Sequence, residues 1–83
     1  MTAEVYTKPN CPFCVRAKAL LEKRGVEYTE ISAVEHREAL IERVTTDTGA
    51  APRTVPQVYL DGKHIGGFDD LSAHYAAIDA AAE

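Results

Sequence analysis

The sequence predicts one small α/β domain, a mixed sheet flanked by helices in the order β-α-β-α-β-β-α. Three observations predict it. The 83 residues leave room for a single domain, residues 1–83. Short β-branched or aromatic runs alternate with stretches of helical period, so the first β-α-β unit requires a parallel strand pair. Asp61-Gly62 then marks a hairpin, which adds antiparallel strands.

Each element has a local reason. Ala3–Thr7 is short and carries Val5 and Tyr6, and reads as the first strand. Lys8-Pro9-Asn10 forms a loop. Pro12 suits the first position of a helix, where no N–H is needed, and the helix is predicted over Pro12–Arg24. Cys14, Ala17 and Leu21 share one face, widened by Leu20, and Gly25 supplies the stop. Glu27–Ile31 reads as the second strand. Ser32-Ala33-Val34-Glu35 fits a capping box for the second helix, with Leu40, Ile41 and Val44 as its apolar face. Thr45–Arg53 loses that period and is predicted non-helical, broken by Gly49 and Pro52. Val55–Leu60 makes the third strand and Lys63–Ile65 the fourth. Gly66-Gly67 leads into the third helix, where Leu71, Tyr75, Ile78 and Ala82 fall on one face.

Composition narrows the class. Apolar residues are 46% and charged residues 27%, ordinary globular values that argue against disorder. The net charge of −4 argues against nucleic acid as a partner. No apolar run approaches the roughly 20 residues of a membrane span. Met1–Thr7 lacks the basic region and apolar core of a secretory signal, so a cytoplasmic address is expected. A monomer is the expectation from size.

The two cysteines, Cys11 and Cys14, carry the chemistry. Cys11 falls at a helix N-terminus, where unpaired N–H groups and the dipole favour a thiolate, and Lys8 adds a second positive field. Cys14 lies one turn on and faces inward, placed to attack a mixed disulfide formed at Cys11. The expectation is an exposed nucleophile and a buried resolving thiol. A close pair near a βαβ unit reads as a thioredoxin-like redox site. Three blander uses compete. A zinc half-site needs two further ligands, and His36, His64 and His74 are scattered; no metal is expected. A structural disulfide closes a loop too small to constrain much chain. Inert core cysteines leave the helix-capping position of Cys11 unexplained.

Several further pieces stand in a recognisable order: Tyr6-Thr7-Lys8, Cys11-Pro12-Phe13-Cys14, Arg53-Thr54-Val55-Pro56 and Gly66-Gly67-Phe68-Asp69-Asp70-Leu71. With them the chain resembles a dithiol glutaredoxin of the small bacterial type along nearly its whole length. The resemblance implies a thioredoxin fold with a four-stranded mixed sheet and three helices. It implies a glutathione-disulfide oxidoreductase that uses glutathione as co-substrate, with Cys11 and Cys14 catalytic. It further implies a cis peptide before Pro56, facing the cysteines, and a Val55 backbone that pairs with the cysteinyl part of glutathione. Thr54 lies beside it in the same segment. Gly67, Phe68, Asp69 and Asp70 would hold the γ-glutamyl end, Lys8 the glycyl carboxylate, with Arg53 or Arg43 joining it; Phe13 borders the site. Partners implied are disulfide-bonded or glutathionylated proteins, ribonucleotide reductase among them.

Plainer readings stand beside these roles. Lys8 is also an ordinary solvated lysine, Asp69 and Asp70 also helix caps, Gly66-Gly67 also a tight turn, and Pro56 also a trans strand-start proline. Phe68 is also spare core, and the three histidines receive no role. Two departures from the family pattern matter. Phe13 stands where the tetrad usually has Tyr, which removes a hydroxyl. Thr45–Pro52 looks longer than in the small bacterial members, which puts the carry-over onto Arg43 in doubt. Two alternative functions follow from the same family: a hydrogen donor reduced by thioredoxin reductase, and a carrier of an iron–sulfur cluster, against which Pro12 argues.

Overall fold

The computed structural model describes residues 1–82; Glu83, the last residue of the expected domain, lies outside them. The elements are β1 (Thr2–Thr7), α1 (Pro12–Lys23), β2 (Glu27–Ser32), α2 (Arg37–Thr48), β3 (Gln57–Leu60), β4 (Lys63–Gly66) and α3 (Phe68–Ala82). The sheet order is β2-β1-β3-β4. β1 pairs parallel with β2, and β1–β3 and β3–β4 are antiparallel. This is the mixed four-stranded sheet and three-helix arrangement that the sequence predicts.

β1 is paired along both edges by β2 and β3, and helices cover both of its faces. Ala3 and Val5 join Ala17 and Leu21 of α1, Val58 and Leu60 of β3, and Leu71 and Tyr75 of α3. Tyr6 turns to the other face and packs with Tyr59 of β3 and Leu40 and Val44 of α2. The period-2 alternation of a strand thus divides the core into two layers, with α1 and α3 on one face and α2 on the other. Val5, Leu21, Val58 and Leu71 have no exposed surface. Each contributes roughly 1.5–3 kcal/mol by leaving water.

Four expectations need correction. Ser32 does not cap α2. It closes β2 opposite Thr7, and its Oγ accepts from the Glu35 N–H at 3.1 Å in a turn that precedes the helix. The helix opens at Arg37 behind His36, which makes no side-chain cap bond. Its end also lies later than predicted: the helical backbone pairing runs on until the Gly49 N–H donates to the Thr45 carbonyl at 2.8 Å. Gly49 then stops the helix at φ 81°, a left-handed cap that glycine adopts without a Cβ penalty. β3 begins at Gln57, not Val55, since Pro56 has no N–H to give the ladder. Finally, Ile78 is 46% exposed although it shares the face of Leu71 and Tyr75. The buried stripe of α3 ends at Tyr75. Beyond it the helix is held from the side, where Arg24 forms a two-pronged pair with Asp79.

Candidate functional site

Cys11 is the N-cap of α1, and its extended backbone (φ −114°, ψ 101°) turns the sulfur back over the first turn. The Cys14 N–H donates to Cys11 Sγ at 3.2 Å. Pro12 occupies the next position, where its missing N–H leaves nothing unpaired. In the reduced protein the same N–H and the helix dipole favour a thiolate at Cys11. Cys11 and Cys14 are joined here as a disulfide with Cα atoms 5.2 Å apart. Cys14 is 2% exposed, as expected of a resolving thiol. Cys11 is more covered than the sequence suggests, at 9%. The reason is the segment before β3, whose Val55 carbonyl lies 3.8 Å from Cys11 Sγ.

That segment contains a cis peptide, Val55–Pro56. It places Thr54, Val55 and Pro56 between two cavities. One, of about 360 Å³, is lined by Lys8, Arg37, Arg53, Thr54 and Val55 among others. The other, of about 470 Å³, is lined by Phe13, Val55, Pro56, Gly67, Phe68, Asp69 and Asp70 among others. Neither cavity is lined by Cys11 or Cys14; the link to the dithiol is the shared segment itself, whose Val55 carbonyl lies beside Cys11 Sγ. One cavity gathers three cations, and the other ends at the N-terminus of α3. There the Asp70 carboxylate accepts from the Gly67 N–H at 3.1 Å, so Asp70 does cap the helix. Gly66 takes φ 121°, a backbone region that L side chains rarely adopt, and a Cβ there would also overlap that carboxylate.

Phe13 is half-exposed beside the dithiol. Its ring stands 6.1 Å from that of Phe68 and 5.1 Å from the Arg16 guanidinium. The missing tyrosine hydroxyl therefore leaves an apolar rim edged by one cation. The dithiol itself lines a third cavity, of about 840 Å³, where Cys11 and Cys14 stand with Lys8, Lys18 and Glu30. Glu30 accepts from the Thr7 hydroxyl at 2.7 Å and from Lys18 at 3.0 Å. These two donors hold its carboxyl below the ordinary range.

Arg43 does not join Lys8. Its guanidinium pairs with Glu4 at 2.8 and 2.9 Å, donates to the Tyr6 hydroxyl at 3.0 Å and lies 3.6 Å over the Tyr59 ring. It fastens α2 to the sheet. The basic residue that α2 does bring to the cavity is Arg37, which sequence reasoning missed. The signal was the helix start. With α2 opening at Arg37, the residue sits in the first turn and lines that cavity with Lys8 and Arg53.

Among the described residues, no group of three His, Cys, Asp or Glu side chains is arranged to hold a metal ion. No helix among them is long and apolar enough to cross a membrane.

A capped, N-terminal Cys11 with a buried Cys14 one turn behind, on a sheet of this topology, defines a thiol–disulfide oxidoreductase of thioredoxin fold. Comparison with known proteins narrows the class. A glutaredoxin family model matches residues 3–65. Glutaredoxin 3 of Escherichia coli K12 is 45% identical over 73 residues, which are 84% of this chain and 81% of that one. Hybrid peroxiredoxin hyPrx5 of Haemophilus influenzae is 46% identical over 72 residues, covering 87% of this chain but only 28% of that longer protein. The crystal structure of a buckwheat glutaredoxin–glutathione complex superposes with a TM-score of 0.74 at 32% identity, over 90% of this chain and 68% of that one. The chain belongs to the glutaredoxin family.

Proposed function

We propose that this protein is a glutathione-dependent dithiol oxidoreductase that reduces glutathione mixed disulfides and protein disulfides. One observation carries the reading: the two cavities that meet at Val55 beside Cys11. Lys8, Arg37 and Arg53 line the first, and the α3 N-terminus with Asp69 and Asp70 borders the second. Glutathione has a matching layout. Its glycyl carboxylate suits the three cations. Its γ-glutamyl carboxylate suits the free N–H groups of α3, and its ammonium suits Asp70. Its cysteinyl backbone then lies along Val55, whose N–H has no acceptor among the described residues. The buckwheat relative, solved as a glutaredoxin–glutathione complex, supports this reading.

The chemistry follows from the two sulfurs. Cys11 thiolate attacks the glutathionyl sulfur of a mixed disulfide, and the protein thiolate leaves. A second glutathione thiolate attacks the same glutathionyl sulfur, releasing oxidised glutathione and restoring Cys11. Alternatively Cys14 attacks Cys11 Sγ and expels glutathione, leaving the Cys11–Cys14 disulfide for two glutathione molecules to reduce. Glutathione is co-substrate in each route. The chain acts as one domain and a monomer, on cytoplasmic disulfide-bonded or glutathionylated proteins. A coupled assay decides between reductants. Turnover with glutathione and glutathione reductase supports the reading; turnover with thioredoxin reductase alone refutes it.

A further inference from the structure

We propose that His64 and Gln57 are positioning residues, a two-link relay that fixes the Thr54–Val55 peptide so that the Val55 N–H is presented to the cysteinyl backbone of the bound glutathionyl group. The inference rests on the function proposed above. Both line the cavity that ends at the α3 N-terminus, and neither lines the cavity that holds the dithiol.

Proton bookkeeping sets the direction of the relay. The Thr54 carbonyl oxygen accepts from the Gln57 side chain at 2.8 Å. A carbonyl only accepts, so the Gln57 amide nitrogen must face it. That orientation turns Gln57 Oε1 toward His64, 2.8 Å from Nε2. Oε1 also only accepts, so His64 must carry its proton on Nε2. The relay therefore runs His64 Nε2–H to Gln57 Oε1, then Gln57 Nε2–H to the Thr54 carbonyl. Thr54–Val55 is a trans peptide, since Val55–Pro56 is the cis bond recorded. In a planar trans unit the C=O and N–H point opposite ways. Anchoring the Thr54 oxygen on Gln57 thus aims the Val55 N–H away from it, where no group among the described residues takes it.

Both links are held by the fold. Gln57 is 6% exposed at the start of β3, so its amide has few other partners. The imidazole stands edge-on to Tyr59 at 5.2 Å. Tyr59 is fully buried, donates to Asp47 at 2.8 Å and lies under the Arg43 guanidinium. The ring that steadies His64 is therefore pinned to α2. A lone loop carbonyl would leave the Thr54–Val55 plane free to rock, and a substrate would have to immobilise it on binding.

The test uses His64→Phe, which keeps a ring against Tyr59 but removes the donor, and His64→Gln, which restores an N–H. In His64→Phe the Michaelis constant for a glutathionylated peptide should rise roughly three- to tenfold, the scale of one lost hydrogen bond, with kcat within about twofold. His64→Gln should recover most of that loss. The alkylation rate of reduced Cys11 should stay unchanged in both, because the relay does not touch the sulfur. Two readouts need no turnover. The wild-type His64 ring nitrogens should show a protonated Nε2, and the Val55 amide order parameter should be near 0.85 and fall in His64→Phe. If the wild type lacks glutathione turnover, the proposed function fails and these two spectra alone judge the relay. A wild-type ring protonated only on Nδ1 overturns the relay even if His64→Phe does not fold. So does an unchanged Michaelis constant in His64→Phe, or a loss that His64→Gln does not recover.

Discussion

Asp70 is asked to do two things, and its substitutions separate them. Its Oδ2 accepts from the Gly67 N–H at 3.1 Å, which caps α3. Its charge also faces the cavity where the γ-glutamyl ammonium is proposed to sit. Asp70→Asn keeps an oxygen for Gly67 and loses only the charge. The capping bond survives, so the melting temperature should change by no more than a few degrees. The ammonium loses an exposed pairing of about 0.2–1 kcal/mol, which corresponds to a Michaelis constant for glutathione up to about fivefold higher. Asp70→Lys removes the cap and reverses the charge. Loss of the cap costs about 1 kcal/mol, and a cation at a helix N-terminus adds about 0.3–1 kcal/mol. For a domain of this size that lowers the melting temperature by roughly 5–15 °C. Attraction also becomes repulsion, a swing near 2 kcal/mol for charges about 4 Å apart in water, so the constant should rise tenfold or more. The assay is glutathione-dependent turnover at varied glutathione beside a thermal melt. An unchanged constant in both folded variants removes the γ-glutamyl end from this cavity.

Two further predictions concern the scaffold. The Tyr75 hydroxyl is buried and has no hydrogen-bond partner, so Tyr75→Phe removes an unmet desolvation cost of about 1–3 kcal/mol. The variant should melt at or above the wild-type temperature, and a clear drop means that the hydroxyl has a partner. Hydrogen bonds from Arg43 hold the Glu4 carboxyl below its ordinary value. A carboxylate depressed in the folded state stabilises above its unfolded pKa and loses that contribution as pH falls through the folded value. Wild type should therefore be more stable than Glu4→Gln at pH 7, and urea titrations should show the gap closing below about pH 4; a gap that widens with acid contradicts the pairing.

Much of this was legible in the sequence, for local reasons. Pro12 behind Cys11 marks the α1 cap, and Asp61-Gly62 marks the β3–β4 turn, where both residues adopt positive φ (47° and 81°). The cis bond before Pro56 was expected from the family motifs, and Lys8 with Arg53 and Asp70 line the two cavities on either side of that segment. What was not legible depends on partners far along the chain. Ser32 looks like a helix cap until β1 claims it for the ladder through Thr7. Arg43 and Arg37 lie on one helix, yet Glu4 and Tyr6 of β1 claim the first, while the second lines a cavity with Lys8. His64 has no role by spacing. It acquires one because β4 folds back on β3, with a register shift between Val58 and Tyr59, and so brings its ring to Gln57.

The most direct measurement compares Cys11→Ser and Cys14→Ser on two substrates, a glutathionylated peptide and an intramolecular protein disulfide. In the proposed route Cys11 is the attacking sulfur, and a serine hydroxyl is scarcely ionised in the working range, so Cys11→Ser should be inactive on both. Removing a glutathionyl group needs only Cys11 and free glutathione, so Cys14→Ser should keep that activity. On the protein disulfide the target stays bound to Cys11 until an internal thiol frees it, so Cys14→Ser should be poor and accumulate a trapped mixed disulfide. Should Cys14→Ser lose both activities, turnover must pass through the Cys11–Cys14 disulfide, and the glutathione route proposed here is wrong.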